Sequence, residues 1–304
     1  MTCIRTDLAA EAREIFQNAN SAAEADGVTA KSEKKGSVTV TKIEIKNENG
    51  AKALGKPIGK YITIESPQIK YSAEEYERTC KIISDSLIEM TGDVTDKTIL
   101  IAGLGNSEIT PDALGPAVVS RLIVTRHMKE HMGKSFGSEF PTTCAVAPGV
   151  LGMTGIETAD IISGVAGKVR PDLVIAVDAL AARKTERIST TIQICDTGIQ
   201  PGAGIGNRRS GLDENSLGTK VIAIGVPTVV DAATIVRDSI EAAFEGEDAE
   251  KISEKILSDN MRRMVVTPKD IDLVIERASK TVANGINMAL NRELSLEDIE
   301  SFVG

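Results

Sequence analysis

Thr98-Ile-Leu-Ile-Ala-Gly-Leu104 is a short run of almost entirely apolar residues. Similar runs recur at Leu173–Val177 and Val221–Val226, and stretches with helical periodicity separate them. Strands that are apolar on both faces are typical of parallel sheets covered by helices on both sides. The sequence therefore predicts an α/β fold with three α/β/α layers and a mostly parallel sheet.

Further elements are predicted on both sides of these strands. Two runs that alternate apolar and polar residues, Val38–Ile45 and Tyr61–Glu65, predict an antiparallel pair of half-buried strands. Residues 19–37 have the composition of a surface loop. We expect residues 38–70 to be accessory β-structure attached to a single domain of residues 1–304. Helices are expected over residues 6–18, 72–91, 111–131, 155–166, 231–244 and 269–291, and additional strands over 142–147 and 189–195.

Composition excludes several classes of function. The 304 residues carry a formal net charge of −9, which argues against a general nucleic-acid binder. No apolar run reaches the roughly 18 residues of a membrane helix, and no signal peptide is evident, so we expect a cytoplasmic protein without a membrane partner. The cysteines are expected to be reduced thiols because they form no CxxC pair; they are Cys3, Cys80, Cys144 and Cys195.

Polar residues follow several of the predicted central strands. In α/β sheets, ligands bind in the crevice beyond the carboxyl ends of the strands. The loops after residues 104, 147, 177 and 226 are therefore expected to converge on one site. The candidate residues in these loops are Asn106, Asp112, Pro148, Gly149, Asp178, Pro227, Thr228 and Asp231.

Two familiar motifs are incomplete in this chain. Gly103-Leu-Gly105-Asn-Ser-Glu108 begins like a dinucleotide fingerprint, but Glu108 stands where the third glycine is required. His127 and His131 share a helical face, but the glutamate between them is misplaced for a zincin motif. They are the only histidines and neither is at a predicted strand end, which weakens any Ser-His-Asp or Cys-His triad. No cofactor is therefore predicted.

Asp112 and Asp178 remain as candidates for catalysis. Taken singly, each also suits a structural role, because Asp112 complements a helix dipole and Asp178 stands where a helix could be capped. Their placement beyond neighbouring strands favours a pair, since two close carboxylates share a proton. One carboxylate could then take a proton from water while the other donates to a carbonyl of the substrate.

Several sequence blocks run in order along most of the chain. They are Gly103–Pro116, Pro148–Glu157, Pro171–Ala182, Thr190–Gly202 and Gly225–Ala232, and the shorter Arg5–Ala9. Together they resemble the signature sequences of the germination protease family (GPR endopeptidases), which are atypical aspartic peptidases. The resemblance implies a fold like that of the hydrogenase maturation proteases (phosphorylase/hydrolase-like). It also implies that Asp112 and Asp178 are the catalytic pair that activates water.

The same resemblance implies a biological setting. The expected substrates are the small acid-soluble spore proteins that are degraded during germination, in the forespore or spore core. The expected form is a homotetramer made as an inactive, self-processing zymogen. Proteins of related fold bind nickel through acidic residues at these strand ends. A metal-dependent peptidase using Asp112 and Asp178, with His127 or Asp231, therefore remains the alternative.

The resemblance further implies cleavage after Glu or Asp and before a hydrophobic residue followed by Ala. Thr6-Asp7-Leu8-Ala9 fits this rule, so we predict that Asp7–Leu8 is a self-processing bond and that residues 1–7 are a propeptide. This segment is short for the family, and Ile4 stands where an acid is expected. A preference for acids implies a cationic subsite, for which the candidates are Arg183, Lys184, Arg187, Arg208 and Arg209.

Overall fold

The computed structural model describes residues 6–69, 71–133, 137, 140–200, 211–243, 252, 255–258, 261 and 264–303. The strands in these residues are β1 (Val28–Lys35), β2 (Val38–Ile45), β3 (Gly59–Glu65), β4 (Thr98–Gly103), β5 (Thr142–Val146), β6 (Leu173–Ala182), β7 (Thr191–Cys195), β8 (Lys220–Asp231) and β9 (Val265–Val266). The α-helices in them are α1 (Ala9–Ala19), α2 (Glu48–Leu54), α3 (Ala73–Thr91), α4 (Leu114–Val119), α5 (Arg126–Met132), α6 (Leu151–Thr154), α7 (Thr158–Val169), α8 (Glu214–Leu217), α9 (Ala232–Ala243), α10 (Ile271–Leu290) and α11 (Leu296–Val303). None of the helices in the described ranges combines the length and the apolar character that a membrane crossing requires.

All nine strands of the described residues belong to one sheet, in the order β1-β2-β3-β7-β8-β6-β4-β5, with β9 paired to β8. The pairs between β5, β4, β6 and β8 are parallel. The pairs from β8 through β7, β3 and β2 to β1 are antiparallel. The sheet is therefore mixed, with a parallel half that holds the strands predicted from the apolar runs.

Helices cover both faces of the parallel half, which confirms the predicted α/β/α layers. On β4, Ile99 and Ile101 pack in one apolar cluster with residues of α3, α4 and α10. The alternate residues Leu100 and Ala102 pack against α7 in another cluster. Because neighbouring residues of a strand point to opposite faces, both sets of apolar side chains are buried. This explains why β4 reads as an uninterrupted apolar run.

The antiparallel half contains the predicted pair of strands and one more. β2 and β3 pair as expected, and β3 continues the main sheet through its pairing with β7. β2 and β3 thus extend the central sheet. β1 lies within residues 19–37, which were predicted to be a loop. Beyond Val28 it is mostly exposed and polar, so it is held by backbone pairing to β2 and carries little apolar signal.

The helix predicted over residues 111–131 is wrong. The chain instead forms a short 3₁₀ turn at Thr110–Asp112, then α4, an irregular segment and α5. Tertiary hydrogen bonds interrupt the helix: Ile123 N donates to Asn287 Oδ1 at 3.0 Å, and Thr125 Oγ1 donates to Pro141 O at 2.5 Å. These partners are distant in sequence, so helical periodicity alone did not reveal the break.

Candidate active site

The turn between β4 and α4 is built by glycines that allow two backbones to touch. Gly105 has φ +110°, and a Cβ added there would lie 2.0 Å from Asp112 O. A Cβ on Gly115 would lie 2.2 Å from Leu104 O. The glycines of the Gly103–Pro116 block therefore permit a close turn. This turn presents Asp112 at the carboxyl end of β4.

Asp112 is held in this turn by the residue that follows the glycines. Asn106 N donates to Asp112 Oδ2 at 2.8 Å and to Asp112 O at 3.1 Å. Asn106, predicted as a supporting residue, thus contacts Asp112 through its backbone. Its side chain closes the turn on the other side, where Asn106 Oδ1 accepts from Glu108 N at 2.9 Å.

Asp178 lies within β6 and not at its end, so the helix-cap explanation is wrong. It follows Val177, which pairs with Gly103 at the end of β4, and it pairs with Gly225 of β8. The strand continues to Ala182 because β8 continues beside it. Asp178 is only 6% exposed, and its Oδ1 accepts a hydrogen bond from Ala179 N at 2.9 Å.

The two aspartates influence each other electrostatically. Burial raises the pKa of Asp178 well above its ordinary value, and the negative charges of Asp112 and Asp7 raise it further, whereas the hydrogen bond from Ala179 N opposes the rise. Such an arrangement favours one protonated and one ionised carboxyl group. The pair can therefore supply an acid and a base at the same time.

A pocket beside Asp178 contains part of the N-terminal segment. Its lining comes from β3, β6, β7, β8 and the turn after α2, and it includes Asp7. Asp7 N donates to Ala181 O at 3.0 Å, and Asp7 Oδ2 accepts from Ala181 N at 2.8 Å. Leu8 is fully buried among apolar residues that include Leu180 and Ile188. Asp7 thus lines the same pocket as Asp178, and Leu8 continues from it into a buried apolar cluster.

Sequence reasoning missed two residues that contact this bond. Asp7 O accepts hydrogen bonds from Lys56 Nζ at 2.9 Å and from Gln193 Nε2 at 3.0 Å. Gln193 carried a signal, because it is an amide within the otherwise apolar core of the run Thr191–Cys195. Lys56 carried none, since it stands in a polar turn that only the fold brings to the site.

Three of the predicted cationic residues surround acids of α1. Glu11, four positions after Asp7, accepts from Arg183 N at 2.7 Å and from Lys184 N at 2.9 Å. Arg187 Nη1 lies 3.4 Å from Glu11 Oε1. Glu11 comes after the Asp7–Leu8 bond, whereas the predicted cationic subsite was for the acid before the bond. The role of these residues in such a subsite stays a prediction. The candidates Arg208 and Arg209 lie outside the described residues, as does Ile4.

Pro148, Gly149 and Asp231 follow or end strands other than β6. Pro148 and Gly149 follow β5, which β4 separates from β6. Asp231 is the last residue of β8, well beyond Gly225, and pairs with Val265 of β9. None of these three lines the pocket that contains Asp178. Their supporting roles stay predictions.

A metal site, the two histidines and Cys195 are the alternatives to the aspartate pair. Among the described residues, no group of three or more His, Cys, Asp or Glu side chains is arranged to hold a metal ion. His127 and His131 are exposed on α5. Cys195 lines the pocket, but burial raises the pKa of its thiol. It is therefore a poor source of thiolate at neutral pH.

Comparison with known proteins identifies the family of this chain. The family model described as germination protease matches residues 6–247. A germination protease of Clostridium tetani is 43% identical over 321 residues, which cover 99% of each chain. One of Caldanaerobacter subterraneus subsp. tengcongensis is 45% identical over 99% of this chain and 98% of its own. One of Priestia megaterium is 36% identical over 98% and 96%, respectively.

Similarity to proteases over nearly the whole length of this α/β chain defines a peptidase. A hydrolase of peptide bonds needs one group that activates water and another that donates a proton to the substrate. Two carboxyl groups, one ionised and one protonated, can provide both. The chain belongs to the germination protease family.

Proposed function

We propose that Asp112 and Asp178 form the acid/base pair of an aspartic-type endopeptidase. The ionised carboxylate takes a proton from water, and the resulting hydroxide adds to the carbonyl carbon of the substrate. The protonated carboxyl donates to the carbonyl oxygen, and a proton then passes to the amine that leaves. The observation that carries the proposal is the burial of Asp178 under the influence of the Asp112 charge, which raises the pKa of Asp178 and favours it as the protonated member of the pair.

The proposed substrates are the small acid-soluble spore proteins, cut after Glu or Asp and before a hydrophobic residue followed by Ala. Support comes from the chain's own segment. Asp7 is bound through both its backbone and its carboxylate, and Leu8 fills an apolar site. The enzyme would act as a homotetramer in the spore core at germination.

Asp7–Leu8 is the proposed self-processing bond of a zymogen. While the bond is intact, the segment fills the pocket where a substrate would bind, which accounts for inactivity before processing. We expect the mature protein to begin at Leu8, as N-terminal sequencing would reveal. Replacing Asp7 with Ala should prevent processing because the acidic residue before the bond is lost. Asp7→Glu is the matched control and should still be processed.

A mature N-terminus other than Leu8 would refute this assignment of the bond. Processing of Asp7→Ala at the same bond and at an unchanged rate would show that the acid is not recognised. In either case the proposed roles of Asp112 and Asp178 would still be open to test by their own substitutions, because those roles concern chemistry and not the choice of bond.

A metal-dependent peptidase using the same aspartates is the second candidate, favoured by the closeness of two carboxylates that influence each other electrostatically. Chelation separates the two mechanisms. With the acid/base pair, cleavage of a peptide containing Thr-Asp-Leu-Ala-Ala-Glu, the sequence of residues 6–11, should be unchanged after dialysis against a strong chelator. Loss of activity that a divalent cation restores would support the metal.

A further inference from the structure

The carbonyl of Asp7 is bound more closely than an ordinary loop carbonyl. Two side chains from different parts of the fold donate to its oxygen: Lys56 Nζ at 2.9 Å and Gln193 Nε2 at 3.0 Å. Lys56 follows α2, whereas Gln193 is in the middle of β7. Both line the pocket that also contains Asp178. Two donors thus converge on the carbonyl of the bond that we propose is cut.

Gln193 holds this bond from both sides. Its Nε2 donates to Asp7 O, and its Oε1 accepts from Ala9 N at 2.7 Å. One amide therefore spans the Asp7–Leu8 bond and fixes its orientation. Gln193 is only 7% exposed. Its amide is held in a rigid strand that pairs with both β3 and β8, so the donor is placed before any reaction begins.

Lys56 brings a positive charge to the same oxygen. Its ammonium group also donates to Thr6 O at 3.0 Å. Burial lowers the pKa of Lys56, whereas the negative charges of Asp7, Cys195 when ionised, and Glu11 oppose the fall. An ammonium group on the carbonyl of Asp7, influenced by the negative charge of its carboxylate, suits a substrate with an acid before the bond.

We propose that Lys56 and Gln193 form the carbonyl-binding group of the active site and stabilise the negative charge that develops on the carbonyl oxygen of the bond being cut. This inference rests on the proposed function, in which Asp7–Leu8 represents the substrate. Addition of hydroxide to the carbonyl carbon moves an electron pair onto this oxygen. The resulting oxyanion has three lone pairs, so Lys56 and Gln193 can hold the charge until the protonated carboxyl of the aspartate pair delivers its proton there. Donors that are already in place strengthen their interaction at that step and lower the barrier. The proton from water still goes to the aspartate pair.

Substitutions that keep shape but remove the donors test the inference. Lys56→Met keeps the aliphatic stem, and Gln193→Met keeps the length of the side chain. Each should lower kcat on the Thr-Asp-Leu-Ala-Ala-Glu peptide by a factor on the order of 10² to 10³, as when one donor to an oxyanion is removed. Lys56→Arg should retain more activity than Lys56→Met because the charge and the donors remain.

A merely structural role predicts a different pattern. If Lys56 and Gln193 only anchor the N-terminal segment, the substitutions should change KM or thermal stability and leave kcat near the wild-type value. That result would overturn the inference. Lys60→Met, on an exposed lysine of β3, is the matched control and should leave both kcat and KM unchanged. Thermal unfolding of each variant verifies that the fold is retained, and the two sites give independent measurements.

Failure of this inference can be distinguished from failure of the proposed function. If Asp178→Asn is inactive while Lys56→Met and Gln193→Met keep wild-type kcat, only the carbonyl-binding role is wrong. If Asp178→Asn cleaves the peptide normally, the acid/base pair itself is wrong. Loss of kcat in all of these variants, with normal values for Lys60→Met, is the expected result.

Discussion

Replacing Asp178 with Asn is expected to reduce peptide cleavage by three or more orders of magnitude, on the order of what single losses from a catalytic unit cost. The amide resembles the carboxyl group in shape but can neither carry the shared proton nor return it. Asp112→Asn should cause a comparable loss, and the double substitution should add little, because the two groups act together. The measurement is kcat/KM on the Thr-Asp-Leu-Ala-Ala-Glu peptide.

The same substitution should make the folded protein more stable at neutral pH. Burial, followed by the charges of Asp112 and Asp7, raises the pKa of Asp178 well above its ordinary value. The native state therefore binds the proton more tightly than the unfolded chain does. The free energy of unfolding of the wild type must then fall as pH rises from the ordinary value of about 4 towards the raised pKa. An amide does not titrate, so Asp178→Asn avoids this loss.

Denaturant unfolding at several pH values checks the sign of this effect. The free energies of unfolding of wild type and Asp178→Asn should differ least near pH 4 and most at neutral or alkaline pH. Each unit of pKa shift contributes about 1.4 kcal/mol. Asp85→Asn, at an exposed acid on α3, is the control and should alter neither activity nor pH dependence. An active Asp178→Asn variant, or one whose stability difference is constant with pH, would contradict the assignment.

Prediction from sequence succeeded where the signal was local. The apolar runs at β4, β6 and β8 identified the parallel half of the sheet because those strands are buried on both faces. The alternation at β2 and β3 predicted their antiparallel pairing, although β3 is buried along the whole of Tyr61–Ile64 and not on one face alone. The glycines near Asp112 stood out in the sequence as an incomplete motif, and the structure shows that no side chain is tolerated there because the backbones of β4 and α4 touch.

Prediction failed where distant residues determined the structure. β1 is mostly polar and exists because β2 pairs with it. The predicted helix over 111–131 is interrupted by Asn287, far along the chain. Lys56 reaches Asp7 across 49 positions and Gln193 across 186. Neither contact leaves a periodic pattern, so the surroundings of the Asp7–Leu8 bond emerge only from the folded arrangement.

Gly115→Ala is expected to be among the most destabilising single changes in this chain, although it adds only one methyl group. The new Cβ would lie 2.2 Å from Leu104 O and 2.3 Å from Leu104 N. Both are backbone atoms at the end of β4, so no flexible side chain can move away. Relief requires β4 and α4 to separate. We expect the free energy of unfolding to fall by about 3 kcal/mol, the upper part of the range for overpacking.

Gly164→Ala is the matched control, because it adds the same methyl group at an exposed position within α7. A Cβ there would meet nothing within 4 Å, and alanine favours helix more than glycine does. This variant should be more stable than wild type by about 0.5–1 kcal/mol. Opposite signs for the same substitution would show that the close approach at Gly115, and not the loss of glycine in general, is responsible. Equal stability of Gly115→Ala and wild type would refute the argument.

Activity of Gly115→Ala should fall as well, even under conditions where the protein remains folded. Separation of α4 from β4 displaces the turn in which Asn106 N holds Asp112 Oδ2, whereas Asp178 stays fixed between β4 and β8. The two carboxyl groups would then move apart, and the pKa of Asp178 would lose the part of its rise that comes from Asp112. A misplacement of about 1 Å can cost on the order of 10²-fold in rate. We therefore expect kcat to fall while KM changes little, because the apolar site for Leu8 lies on other elements.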